Sequence, residues 1–271
     1  MWKDGTIARR TTLPATDAEI VDMTRDGTGV ATGYLQNHQA SFGYADGRFT
    51  RLRGSGVGAI AINEAGVIVG GRGGSPGGVP VRWASASAAP VRLPLPAGAT
   101  EGSASNIAED GTILGSVGRA GKSATAYLWF PGGTGRYLPL STVDGGRRAT
   151  SFAPSAISNG WVTGNAVVET EQSTASTPMR YRITTGEFQR LPADLWSAEK
   201  IAADGWVAAE GLDLSVTGDA GRRSSAPAGV GGDRPDLGQA GGAGGGRRDG
   251  KPHAAHPLRR EPHGQRGAAG R

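Results

Sequence analysis

The sequence predicts an all-β protein: a propeller-like array of about five four-stranded repeats, followed by a Gly/Arg-rich tail. Three observations carry this reading. A short motif of apolar residues, a turn of Asn, Asp and Gly, and a β-rich run recurs five times. A second motif, an aromatic-ended strand followed by a leucine-ended strand, alternates with it. No segment shows sustained 3.6-residue periodicity, and Gly and Pro punctuate nearly every stretch of a dozen residues.

The first motif reads E-I-V-D-M-T-R-D-G-T-G-V-A-T-G at 19–33 and A-I-A-I-N-E-A-G-V-I-V-G at 59–70. It returns as A-S-N-I-A-E-D-G-T-I-L-G at 104–115, P-S-A-I-S-N-G-W-V-T-G at 154–164 and A-E-K-I-A-A-D-G-W-V-A at 198–208. Gly27, Gly66, Gly111, Gly160 and Gly205 mark the turns, spaced 39, 45, 49 and 45 residues apart. Such turns need φ > 0, which is why Gly closes each of them, directly after Asn or Asp in four of the five.

The second motif opens the chain as M-W-K-D-G-T-I-A-R-R-T-T-L at 1–13. It recurs at 41–52 (S-F-G-Y-A-D-G-R-F-T-R-L), 79–93 (V-P-V-R-W…V-R-L), 126–138 (A-Y-L-W-F-P-G-G-T-G-R-Y-L) and 179–191 (M-R-Y-R-I-T-T-G-E-F-Q-R-L). Residues 1–13 thus supply two outer strands of one unit. Four whole units follow, at about 18–52, 58–95, 102–140 and 154–191, and residues 196–211 supply two inner strands of another. Four strands per repeat of this length is propeller spacing. Joining the two half-units would close a fifth blade. The alternative is a fragment of a longer array, with unpaired strand edges that invite aggregation.

The run I-N-E-A-G-V-I-V-G at 62–70, the run S-A-T-A-Y-L-W at 123–129 and the leucine-ended strand after it resemble the HAF-type extracellular repeats of bacterial proteins. The resemblance covers about residues 1–211 and is best at 59–95 and 104–140. Two units depart from the pattern: Tyr127 replaces the usual Phe, and the second unit has only V-P-V-R-W. The resemblance implies a propeller-like architecture and export, and it brings no catalytic residues.

Composition divides the chain near residue 214, giving a β-repeat domain at 1–214 and a basic tail at 215–271. Every Phe, Tyr and Trp precedes the boundary, whereas His253, His256 and His263 follow it. The last 57 residues hold ten Lys/Arg and five Asp/Glu, so the whole formal charge of +5 lies there. Large apolar residues are too few in the tail to offset its ordering entropy, which predicts disorder. The abrupt shift to Gly, Ala, Arg and Pro is what a shifted reading frame of a GC-rich gene would give; the rival is a natural flexible tail. The Arg pairs 222–223, 247–248 and 259–260 would attract nucleic acid only weakly and without specificity, since no aromatic is there to stack on bases.

The absence of Cys excludes disulfide scaffolds, thiolate zinc sites and Cys nucleophiles. No run approaches the ~18 apolar residues of a membrane helix, and the first thirty residues show no apolar signal-peptide core.

Chemistry motifs read as structural. G-R-A-G-K-S at 118–123 is a P-loop lacking its first Gly and followed by a strand, not the helix a phosphate site needs. G-G-S-P-G at 73–77 would place Ser75 as a nucleophile, but without strand-to-helix context, and His38 is the sole His before the tail. G-S-G-V-G at 54–58 lacks the βαβ setting of a dinucleotide site. Asp26, Asn63, Asp110, Asn159 and Asp204 read as turn formers bonding local backbone, with too few converging oxygens for calcium. His253, His256 and His263 would have no fixed geometry for a metal in a disordered tail. Trp2, Tyr44, Trp83, Trp129 and Tyr181 recur at one place in the repeat, the mark of packing between units.

No catalytic, cofactor-binding or metal-ligating residue is assigned. The sequence predicts a non-enzymatic repeat scaffold binding a protein or glycan. A second reading is a propeller hydrolase or lyase using loop carboxylates such as Asp22, Glu64, Asp144 and Glu169. A third is a fragment of a larger secreted repeat protein without function as written.

Overall fold

A computed structural model describes residues 2–3, 6–7, 11–54, 56–73, 78–212 and 222–224. The described residues are all-β apart from one 3-10 turn at Asp144–Gly146, and among them no helix is long and apolar enough to cross a membrane.

The chain opens with β1 (Trp2–Lys3) and β2 (Thr6–Ile7), which pair with each other. The first four-stranded sheet is β3 (Thr16–Met23), β4 (Gly29–Leu35), β5 (His38–Ala45) and β6 (Arg48–Arg51). The second is β7 (Val57–Ile62), β8 (Ile68–Arg72), β9 (Val79–Trp83) and β10 (Val91–Arg92). The third is β11 (Glu101–Ile107), β12 (Ile113–Gly118), β13 (Thr125–Trp129) and β14 (Gly135–Tyr137). The fourth is β15 (Ser151–Ser158), β16 (Trp161–Glu169), β17 (Thr174–Arg182) and β18 (Glu187–Arg190). The fifth holds β19 (Leu195–Ile201), β20 (Val207–Leu212) and β21 (Arg222–Ser224).

These four complete sheets match the four whole units expected from the sequence. Each is an antiparallel meander whose neighbours in the chain are neighbours in the sheet. The propeller-like array follows from how consecutive sheets meet: β7 packs on β3, β4 and β5, β11 on β7, β8 and β9, β15 on β11, β12 and β13, and β19 on β15, β16 and β17.

The five repeated turns have one steric cause. Gly27, Gly66, Gly111, Gly160 and Gly205 all sit at φ between 74° and 89°, where a Cβ is strained. The Asx residues act locally as expected. The Thr28, Thr112 and Trp206 N–H groups donate to the carboxylates of Asp26, Asp110 and Asp204, two residues back.

A β-bulge recurs at one place in every inner strand, at Ile20/Asp22, Ala59/Ala61, Ala104/Asn106, Pro154/Ala156 and Ala198/Lys200. The extra residue shifts the core-facing positions from two apart to three apart. Ala59 and Ile62 therefore join one core cluster, while Ala61 between them joins the next.

Trp83, Trp129 and Tyr181 fill the space between consecutive sheets, and Tyr44, at the equivalent place, is buried on the face of the first sheet turned away from the second. The indole N–H of Trp83 donates to the Arg53 carbonyl at 3.1 Å, and that of Trp129 to the Pro94 carbonyl at 2.7 Å. Each acceptor directly follows the leucine that ends the preceding unit, so the indole ties one sheet to the connection leading into it. Trp2 is in a strand, and its side chain lies outside the described residues.

Closure by joining the termini would pair β20 with the amino-terminal strands. The pairing observed for β20 is instead with β21, whose Arg222–Ser224 lies inside the predicted tail. A partner that follows closely in the chain costs less loop-closure entropy than one some two hundred residues away. The rest of the predicted tail, with His253, His256 and His263, lies outside the described residues.

Candidate functional site

An antiparallel meander puts its first and third turns at one end and its second turn at the other. Between the second and third sheets each end holds a cleft.

The larger, about 430 Å³, lies at the end carrying the Asn63–Gly66 and Ala108–Gly111 turns. Val67, Leu93, Ile113, Trp129 and Phe130 supply apolar lining. Arg82 and Arg92 are contributed by the second sheet, and Glu109 and Asp110 by the third. Val91, 67 % exposed and paired across the strands with Arg82, also lines it. β10 is the outermost strand of its sheet, which is why Val91 and Arg92 lie open to solvent.

Both carboxylates of this cleft are already engaged. Glu109 Oε2 accepts the Glu64 N–H at 2.9 Å, and Asp110 Oδ1 accepts the Thr112 N–H at 2.8 Å. Such bonds fix where each carboxylate stands at the rim of the cleft.

The smaller cleft, about 230 Å³, lies at the opposite end. Glu101, Ser103, Ser116 and Lys122 line it together with Gly71, Gly102 and Gly118. Glu101 is buried. Gly118 and Lys122 belong to the G-R-A-G-K-S segment, which links β12 to β13. A strand follows the Lys, as expected, and among the described residues no helix N-terminus faces this cleft.

Of the loop carboxylates singled out in the sequence, Asp22, Glu64 and Glu169 line neither cleft. Asp22 Oδ2 accepts the Ile62 N–H at 2.9 Å, tying the first sheet to the second. Glu64 accepts the Arg25 N–H at 3.2 Å and lies 3.8 Å from the Arg25 guanidinium. Glu169 ends β16 in the fourth sheet and is exposed. The side chain of Asp144, like Ser75 of the G-x-S-x-G motif, lies outside the described residues. Among the described residues no three His, Asp or Glu side chains are grouped to hold a metal ion. His38, at the exposed start of β5, has no second His near it in the described sequence.

Sequence reasoning missed the larger cleft, because its walls come from residues of two repeats about 20–70 positions apart. The one available signal was the alternation of Arg82-Trp83 with Val91-Arg92, which puts two cations beside an outer strand.

No family model matches the chain, and no curated protein does. Several solved structures share similarity with it. TolB from Acinetobacter baumannii is 12 % identical over 64 % of this chain, with a TM-score of 0.46, and this chain spans 42 % of that protein's length. The structure of putative TolB from Agrobacterium tumefaciens is 13 % identical, covering 74 % of this chain and 72 % of that one, with a TM-score of 0.49. A putative gluconolactonase structure is 14 % identical, covering 78 % of this chain and 77 % of its own, with a TM-score of 0.45. At these values the likenesses assign this chain no activity.

Proposed function

We propose that the protein is a non-enzymatic binding scaffold whose ligand, a protein segment or a glycan, seats in the 430 Å³ cleft between the second and third sheets. The observation that carries the reading is the cleft itself: an apolar lining with cations on one side, carboxylates on the other, and both carboxylates held by backbone N–H groups. Concave apolar sites with a few placed polar groups are the usual form of a ligand seat. The HAF-type repeat identity and the export it implies belong to the same reading, and the turn and strand motifs at 59–95 and 104–140 support them.

The test is binding of the purified chain to peptide and glycan arrays, alongside Val91→Glu and Arg92→Glu variants. Val91 and Arg92 are exposed, so both variants should fold. The reading expects hits of one ligand class that both variants lose. Hits unaffected by either variant, or no hits, would overturn it.

A further inference from the structure

We infer that the smaller cleft between the second and third sheets is a saccharide seat that takes one neutral sugar unit, and that the hollow beside it takes the next unit of the same glycan. This seat is separate from the larger cleft, which lies at the opposite end of the two sheets.

Glu101 carries the argument. It begins β11, is 9 % exposed and lines the cleft, yet among the described residues its carboxylate has no hydrogen bond and no ion pair. A carboxylate that gives up most of its water without gaining a donor is costly, and a ligand bearing O–H groups supplies the missing donors. The strand register places further polar groups beside it. Glu101 stands across from Gly118, and Ser103 across from Ser116, so the carboxylate and both hydroxyls share one face of the third sheet. Gly118 has no side chain to crowd the carboxylate. Lys122, exposed on the loop between β12 and β13, also lines the cleft.

The opposite wall is open because of Gly71. The fourth sheet has Asn165 at that place, five residues after its turn glycine. Asn165 crosses to the fifth sheet, where its Nδ2 donates to the Trp196 carbonyl and its Oδ1 accepts the Ala198 N–H. Gly71 has no side chain with which to cross. Among the described residues only Ser103 Oγ, at 3.6 Å, approaches the position its Cβ would take.

The chemistry of the lining selects the ligand. Glu101 can only accept and Lys122 can only donate, whereas the serines do both. The two charges cancel. A ligand rich in hydroxyls meets all four groups without bringing a charge of its own. A volume of about 230 Å³ is smaller than the seat of a drug-sized ligand and suits a single sugar ring. The adjoining hollow, about 280 Å³, shares Gly118 and Lys122 with the cleft and adds Tyr137. Tyr137 is 45 % exposed, and its ring stands edge-on to Tyr127 with centroids 5.1 Å apart. That contact steadies an open aromatic surface for the C–H face of a second sugar. Arg119 also lines the hollow, and its guanidinium is already held by the Gly98 carbonyl.

The test is calorimetric titration of the full-length chain with glucose, galactose, mannose, cellobiose, maltose and lactose, each at millimolar concentration. Glycine and glucuronate serve as zwitterionic and anionic rivals. At least one neutral sugar should bind, and a disaccharide containing it should bind more tightly. Glu101→Gln should weaken binding roughly tenfold, the worth of hydrogen bonds to a charged group. It should also keep or raise the thermal midpoint, because the carboxylate has no partner to lose. Lys122→Ala, at an exposed residue, should weaken binding as well, and Tyr137→Ala should weaken the disaccharide alone. The inference is overturned if no sugar binds, if Glu101→Gln and Lys122→Ala bind as the unmodified chain does, or if glycine or glucuronate binds more tightly than every neutral sugar. Sugar binding lost in Val91→Glu but kept in Glu101→Gln would place the sugar in the larger cleft and equally overturn it. A disaccharide no tighter than its monosaccharide would overturn the two-unit seat.

Discussion

The backbone N–H of Glu64 donates to the carboxylate of Glu109, 45 residues away, at 2.9 Å. Glu64 in turn receives the Arg25 N–H on its own carboxylate. The first three turns are thus linked in a row, each turn's amide held by the acid of the next. Asn63 and Asn159 extend the pattern by donating to the Ala108 and Ala203 carbonyls of the following turns.

Glu109→Ala should lower stability by about 1 kcal/mol at most, since the bond to its carboxylate is made at an exposed site. Glu109→Gln keeps an acceptor and should lose less. Urea unfolding of the two variants checks the order; equal losses would mean the carboxylate bond contributes nothing.

Trp129→Phe removes both the indole bond to Pro94 and part of a side chain that is 2 % exposed. A loss of roughly 2–4 kcal/mol is expected from the cavity and the orphaned carbonyl together. Tyr137→Phe, at an exposed residue, serves as the contrasting control and should move the urea midpoint little.

Gly115 faces the inner strand so closely that a Cβ would stand 2.0 Å from the Ser103 carbonyl oxygen. Gly115→Ala should force the two strands apart and cost roughly 1–3 kcal/mol. Gly132 has nothing within 4 Å of its Cβ position, and Gly132→Ala should change stability by less than ~0.5 kcal/mol. Thermal melts of the pair would expose an error if Gly132→Ala proved the more damaging.

The Asp26 carboxyl is held below its ordinary value, chiefly by the Thr24 hydroxyl and then by the Thr28 N–H. A lowered folded pKa means that the ionised form is favoured on folding. Its stabilisation is full above the unfolded value and fades as pH falls through the folded one. Asp26→Asn should therefore melt below the unmodified chain at neutral pH, and the gap should close in acid. A gap constant from neutral to strongly acidic pH would show that the carboxylate charge plays no part.

Much of this architecture is legible in the sequence because its causes are local. The repeated turns are legible because the positive φ at Gly27, Gly66, Gly111, Gly160 and Gly205 demands Gly at each of them. The leucine-ended strands are legible through Leu52, Leu138 and Leu191, each buried. The bulge is not, because it turns alternation into a three-residue step: Ala59 and Ile62, or Ala104 and Ile107, read as a broken strand. The larger cleft is equally hidden, since Arg82 and Glu109 come together only once the sheets have packed. β21 could not be foreseen, because Arg222–Ser224 carries none of the apolar or aromatic residues that mark a strand.

The same bulge at the same place in five inner strands has a price during folding. Strands whose turn, bulge and length agree are interchangeable partners, so β7 has little geometric reason to choose β8 over β12. Discrimination falls to side chains: Ile68 and Val69 against Ile113 and Leu114 differ by scarcely a methylene. Mispaired neighbours are the characteristic kinetic trap of repeat arrays. Refolding from denaturant should therefore pass through off-register species, and emergence from the ribosome one hairpin at a time would be the chain's best protection against exchanging strands between repeats.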